Sequence, residues 1–151
     1  MDADVLIIGA GPAGSACARV LAQAGLAVML VDQHPAGRDK TCGDGLIPDA
    51  HQALARLGLL DAVMQRAQPV SHVGCIAPRG GRVDVPGSLA VLPRKELDAL
   101  LLQAAQDAGA NCYLVKPAKP AELVLTAALL LGDAAAAARA AAAQAPQGVT
   151  A

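Results

Sequence analysis

The sequence predicts an α/β domain built on a parallel sheet, with a small β-hairpin as an insertion. Three observations carry that reading. Two short apolar runs, Val5-Leu6-Ile7-Ile8 and residues 26–31, flank an alanine-rich segment of helical length. A glycine-rich loop joins the first run to that segment. The second run ends on a single acidic residue, Asp32.

Each element follows in order. Val5 to Ile8 is a β-branched run without polar interruption, which reads as a strand buried on both faces. Residues 15–24 carry Val20 and Leu21 among alanines, lack internal Gly or Pro, and read as a helix closed by Gly25. Residues 26–31 read as a second buried strand. Strand, helix and parallel strand within about 30 residues form a right-handed βαβ unit. Residues 33–48 are loop-like, with Pro35, Gly37, Gly43, Gly45 and Pro48. Asp49 is expected to cap a helix over 50–57 that stops near Gly58, with a short helix within 59–68. Alternating stretches at 73–76 and 82–85 flank Pro78-Arg79-Gly80-Gly81 and predict a hairpin. Leu97, Leu100, Leu101 and Ala104 fall at helical spacing in a helix over 93–108, ended by Gly109. Residues 112–115 read as a strand.

After Lys116 the character changes. Lys116-Pro117-Ala118-Lys119-Pro120 is linker-like, 121–131 is mostly apolar, and 134–145 is nearly pure alanine with Arg139 as its only charge. Alanine favours helix, but this run offers no amphipathic face for docking. The expected organisation is therefore an incomplete domain over 1–116, followed by an apolar segment and an alanine-rich tail over 117–151.

Composition narrows the function classes. Hydrophobic residues make up 54% of 151, yet Phe and Trp are absent and Tyr113 is the only aromatic residue. A core of Ala, Val, Leu and Ile buries little area per residue, so it is expected to be thin and to lean on a ligand or on further chain. Lys and Arg number 12 against 13 Asp and Glu, with no basic stripe or aromatic platform, which argues against nucleic-acid binding. Cys17, Cys42, Cys75 and Cys112 are widely spaced, without a zinc pattern, and read as reduced thiols of a cytoplasmic protein. No signal peptide is visible, and the apolar stretch 121–132 is shorter than the roughly 20 residues that span a bilayer.

The chemistry is carried by Gly9-Ala10-Gly11-Pro12-Ala13-Gly14. Gly9 permits the tight turn out of the strand, Gly11 lets backbone approach a pyrophosphate, and Gly14 lets the helix pack close to the sheet. The helix start offers free N–H groups and partial positive charge to the phosphates. An acid about 20 residues further on, here Asp32, accepts hydrogen bonds from the adenosine ribose and disfavours a 2′-phosphate. The loop therefore predicts a dinucleotide, FAD or NAD, and argues against NADP at this position.

The loop sequence and its place near the start resemble the glutathione-reductase-type FAD proteins. Residues 38–48, Arg38-Asp39-Lys40-Thr41-Cys42-Gly43-Asp44-Gly45-Leu46-Ile47-Pro48, resemble the K-x-C-G-D-G-L-x-P segment of the geranylgeranyl reductase family. Leu92-Pro93-Arg94-Lys95-Glu96-Leu97-Asp98-Ala99-Leu100-Leu101 resembles that family's R-x-x-L/F-D-x-x-L helix. The resemblance extends over residues 5–115. It implies a Rossmann-like FAD-binding domain without the substrate domain, and FAD as the cofactor. It also implies that Gly9, Gly11, Ala13 and Gly14 hold the pyrophosphate, that Asp32 holds the ribose, and that Cys42, Gly43 and Gly45 lie toward the flavin. Arg94 would face the diphosphate or flavin, or else be an exposed arginine at a helix start. Cys42 is either a thiol near the flavin or a small buried hydrophobe, and Asp44 caps its turn or lines the site. Gly132-Asp133-Ala134-Ala135 resembles the family's second FAD motif or its earlier G-A-D-G motif, and Asp133 alternatively caps the alanine run. His34, His51 and His72 lack partners at ligand spacing and read as solvated or loop histidines; Arg79 and Arg82 read as flanking the hairpin turn in solvent.

The activity implied is that of a FAD-dependent oxidoreductase of the geranylgeranyl reductase type, saturating isoprenoid or related alkene double bonds, with NAD(P)H as a candidate electron donor. An isoprenoid lipid or other small molecule would be its substrate, with contact to a membrane surface a corollary for a lipid. A flavin monooxygenase of the hydroxylase type and a non-catalytic dinucleotide-binding remnant are the competing expectations. No catalytic residue and no metal ligand stands out from the residues.

Overall fold

The structure, a computed structural model, describes residues 3–34 and 38–111. The predicted strand over 112–115, the segment 117–151 and Asp133 lie outside the described residues. The chain divides into two compact units, Met1–Pro35 with Ala104–Ala151, and Ala36–Gln103.

In the first unit β1 (Val5–Ile8) and β2 (Val28–Val31) pair in parallel, Val5 opposite Val28 through Ile8 opposite Val31. Helix α1 (Pro12–Gln23) connects them, as the βαβ reading requires. All four residues of β2 are buried, as expected for a strand with neighbours on both sides: β1 on one, and Asn111 on the other. Asn111 bridges Met29 in parallel, accepting from Leu30 N–H at 3.0 Å and donating to Val28 O at 2.8 Å. The expectation of burial on both faces fails for β1, whose residues are only half-buried and whose Ile8 is exposed. Among the described residues β1 has a strand neighbour on one side only.

The ends of α1 explain its offset from the sequence-based range. Pro12 sits at the first helical position, where a missing N–H costs nothing and the fixed φ suits the helix. At the other end Gly25 N–H donates to Ala22 O at 2.9 Å and Leu26 N–H to Leu21 O at 3.2 Å, a Schellman closure. Leu26 is therefore spent on the helix end instead of beginning the strand. The core of this unit is small: Ala18, Val28, Met29, Leu30 and Val31, with Ala104, Ala105 and Ala110.

The second unit carries β3 (Gly45–Leu46), α2 (Pro48–Arg56), α3 (Leu60–Met64), β4 (Gln68–Ile76), β5 (Arg82–Val91) and the start of α4 (Arg94–Asp107). Its sheet is antiparallel, in the order β3-β5-β4. The hairpin is about twice as long as the alternating stretches suggested. Pairing continues from Val73 opposite Val85 to Gln68 opposite Val91, past a bulge between Val70 and His72. The bulge breaks the period-two pattern, so the paired residues beyond it do not read as strand. Helix α2 starts at Pro48 with Ile47 as its cap residue, so Asp49 lies in the first turn and supports the helix dipole instead of capping it. His51 also departs from expectation: it lies on α2, half-buried. Arg82 is exposed but pairs with Asp84 at 2.7 Å.

The core of the second unit gathers Leu46, Leu54, Val63, Ala67, Ala90, Leu92, Leu97 and Leu101. Leu92 is 1% exposed and joins the end of β5 to the entry of α4. Leu92→Ala is expected to lower the unfolding free energy by about 2–5 kcal/mol in a urea titration, the range for a buried leucine that leaves a cavity. A loss below about 1 kcal/mol would show that this core collapses around the gap.

In the first unit, a Cβ at Gly14 would fall onto Gly9 O and meet Ile7 Cγ2 at 3.4 Å. Gly14→Ala is therefore expected to destabilise by about 1–3 kcal/mol despite alanine's better helix propensity. A Gly14→Ala chain as stable as its parent would refute the close contact.

Candidate functional site

In the first unit the loop after β1 is fixed by a short chain of hydrogen bonds. Gly9, at φ 108, turns out of the strand and donates its N–H to Val31 O at 2.7 Å. Ala10 N–H donates to Asp32 Oδ2 at 2.7 Å, and Ala10 O accepts from Ser15 Oγ at 3.1 Å. Both polar groups of one peptide-linked residue are thus held, by the end of β2 on one side and by the first turns of α1 on the other. Ser15 is fully buried. Asp32 Oδ1 accepts His34 N–H at 2.8 Å, with His34 Nδ1 at 3.5 Å. The carboxylate keeps further lone pairs on both oxygens.

Gly11 is the cap residue of α1, with φ −73 and ψ −175. A Cβ there would meet nothing within 4 Å, so its side toward solvent is bare. The first turn of α1 carries no acidic residue. Its leading amides have no acceptor within the helix and sit at the positive end of the macrodipole. Gly9, Gly11, Ala13, Gly14 and Asp32 are therefore brought together, with open space at Gly11 and packed space at Gly14.

The second unit brings together Cys42, Gly43, Gly45 and Arg94. Asp44 organises them. It adopts φ 53, a left-handed conformation that aspartate tolerates. Its carbonyl accepts Leu92 N–H at 2.9 Å, and its Oδ1 accepts Arg94 N–H at 3.0 Å. The carboxylate thus satisfies an N–H at the start of α4, a chain distance of 50 residues away. Arg94 meets Asp98 through two bonds, Nε to Oδ1 at 2.9 Å and Nη2 to Oδ2 at 3.2 Å. Its Nη1 points at Cys42 Sγ at 3.7 Å. Asp98 raises the guanidinium pKa further above its ordinary value. The backbone N–H of Asp44, and then Arg94, lower the Cys42 thiol pKa.

These contacts correct two of the sequence alternatives. Cys42 is exposed, so it is not a buried hydrophobe. Arg94 is not a loose helix-start arginine; its side chain is 18% exposed and doubly bonded. Three residues escaped the sequence reading. Ser15 holds the glycine loop, and a polar residue beside an apolar helix face was the available hint. Arg19 donates to Ala104 O at 2.7 Å, placing a cation near the C-terminal end of α4, with no local signal in the sequence. Asp98 stands four residues after Arg94, a spacing that itself marks a helical ion pair. No group of three or more His, Cys, Asp or Glu among the described residues is arranged to hold a metal ion.

The chain is 40% identical over 120 residues to the menaquinone reductase of Mycolicibacterium smegmatis, covering 74% of this chain and 29% of that protein. It is 36% identical over 124 residues to digeranylgeranylglycerophospholipid reductase 2 of Methanopyrus kandleri, covering 82% and 31%. Among solved structures, a geranylgeranyl bacteriochlorophyll reductase-like protein of Thermoplasma acidophilum superposes with a TM-score of 0.65 at 27% identity, covering 76% of this chain and 30% of that one. The chain thus spans about 30% of the length of these relatives. A family model described as an FAD binding domain matches residues 2–119. That match covers more than half of the sequence: the chain belongs to the FAD binding domain family.

Proposed function

We propose that this chain is the cofactor-holding part of a flavoprotein reductase that acts on isoprenoid lipids or quinones. The observation that carries the reading is the bare backbone at Gly11, set at the start of a helix whose first turn holds no acid. A diphosphate needs such a place: donors without acceptors, positive potential, and no side chain in the way. Gly9, Gly11, Ala13 and Gly14 hold the diphosphate in this reading. Asp32 uses its remaining lone pairs on the adenosine ribose, while its bond to Ala10 keeps the loop from sagging. In the second unit Cys42, Gly43 and Gly45 offer thin backbone to the flavin part of the cofactor, and Arg94 offers a fixed cation. The domain so formed spans 1–116, with 117–151 following it.

Bound FAD would supply hydride to an alkene or quinone. The residues of this chain contribute binding and orientation. In the first unit Asp32 and the helix start serve the ribose and diphosphate, and in the second unit Arg94 offers positive charge to an anionic group of the cofactor. The substrate class is inferred from relatives 30–40% identical to this chain, among them a menaquinone reductase and digeranylgeranylglycerophospholipid reductases.

Two measurements test this. Gly11→Val is expected to lower the unfolding free energy by no more than about 1–2 kcal/mol, the cost of a poorer helix cap, because its side chain enters open space. It is expected to weaken FAD binding by about tenfold or more, read by quenching of flavin fluorescence in the full chain. Equal affinity in the parent and Gly11→Val would refute the diphosphate site. For the reaction, the FAD-loaded chain is photoreduced without oxygen and mixed with menaquinone or a geranylgeranylated lipid. Return of flavin absorbance with either substrate supports a reductase. Reoxidation by oxygen with formation of a hydroxylated product points to a monooxygenase, and reoxidation no faster than that of free reduced FAD with every acceptor to a non-catalytic binding module.

A further inference from the structure

The side chain at the start of α4 sits at an electrostatic disadvantage. Arg94 occupies the first position of the helix, at the positive end of its dipole, where an acid would be the stabilising choice. Asp44 already meets the backbone need there by accepting Arg94 N–H. The guanidinium is nevertheless held firmly, with 18% of the arginine side chain and 22% of the Asp98 side chain exposed. Asp98 takes the Nε and Nη2 edge of the fork. That leaves the Nη1 corner directed at Cys42 Sγ, a weak acceptor at 3.7 Å. A cation fixed on one edge and weakly engaged on the other is arranged to accept a better partner.

We propose that Asp98 is a positioning residue for the cofactor: it holds one edge of Arg94 so that the Nη1 corner is presented to an acceptor oxygen of FAD, in preference to the Cys42 thiol. This rests on the reading that Arg94 faces FAD. An oxygen acceptor forms a stronger bond with a guanidinium than sulfur does, so the exchange is downhill. Lysine cannot replace the arginine, because one ammonium cannot keep both the Asp98 edge and a separate corner in a fixed plane. The charged groups facing the Cys42 thiol are Arg94 and Asp44; Asp98 reaches it only through Arg94.

The test uses the full chain and two readouts. The first is FAD affinity. The second is the pH profile of Cys42 alkylation by iodoacetamide, followed by peptide mass, without cofactor. A thiol whose pKa is lowered by Arg94 reacts at lower pH than an ordinary cysteine, and that advantage disappears as Arg94 loses its aim. Asp98→Asn and Arg94→Lys are expected to weaken FAD binding by about tenfold and to move the alkylation profile to higher pH. Asp98→Glu is expected to restore part of both. If Arg94→Lys and Arg94→Gln leave FAD affinity at the parent's value, Arg94 does not face the cofactor and the underlying reading falls. If Arg94→Gln weakens binding while Asp98→Asn changes neither the affinity nor the profile, the positioning role alone is overturned.

Discussion

The bond from Ala10 N–H to Asp32 Oδ2 is the constraint on which the first unit depends. It spans 22 residues and ties the end of β2 to the loop that leaves β1. Without it the loop has only the Gly9 N–H to Val31 O bond to fix its path beside the neighbouring strand. Ser15 completes the arrangement from the helix side by donating to Ala10 O. A loop held from both flanks presents its amides in a fixed array, so a ligand there pays less ordering entropy on binding. Asp32 therefore has a structural task that comes before any contact with a sugar. The sequence rule that reads this acid as a ribose partner describes only half of its work.

Glycines within the same loop answer to different constraints. Gly14 is required by the fold, because added bulk there meets Gly9 and Ile7. Gly11 is not, because added bulk there meets nothing and its φ of −73 suits any residue. A glycine that neither backbone conformation nor packing demands points to something outside the protein that needs the space. The separation is physical: one position is tested by stability, the other by affinity.

What the sequence made legible follows from how local each signal is. The βαβ unit, the helix closures at Gly25, Gly58 and Gly109, and the hairpin turn rest on neighbours a few residues apart, and all were readable. The reach of β4 and β5 beyond the bulge was not, because alternation stops where pairing does not. Asp44 holding the start of α4 was hidden for another reason: nothing in a chain announces a contact between residues 44 and 94. The segment 41–46 could be recognised as distinctive, but its geometric purpose, a left-handed aspartate that seats both Leu92 and Arg94, appears only in three dimensions. Burial of β1 was over-read, since an apolar run reports the capacity to be covered and not the presence of a cover.

The small-residue core links this architecture to ligand binding. In the first unit Ala18 on α1 is fully buried, and Ala104, Ala105 and Ala110 are buried as well, where small side chains allow close packing. Close approach keeps the start of α1 near the end of β2, which the Ala10 to Asp32 bond requires. The cost is modest hydrophobic stabilisation, at about 0.8 kcal/mol per buried methylene. A ligand that binds only the folded form offsets such a deficit, by about 2.7 kcal/mol at a free concentration of 100 times its dissociation constant. An occupant of the loop between β1 and α1 that binds only the folded form would therefore add stability to a core that small side chains leave thin.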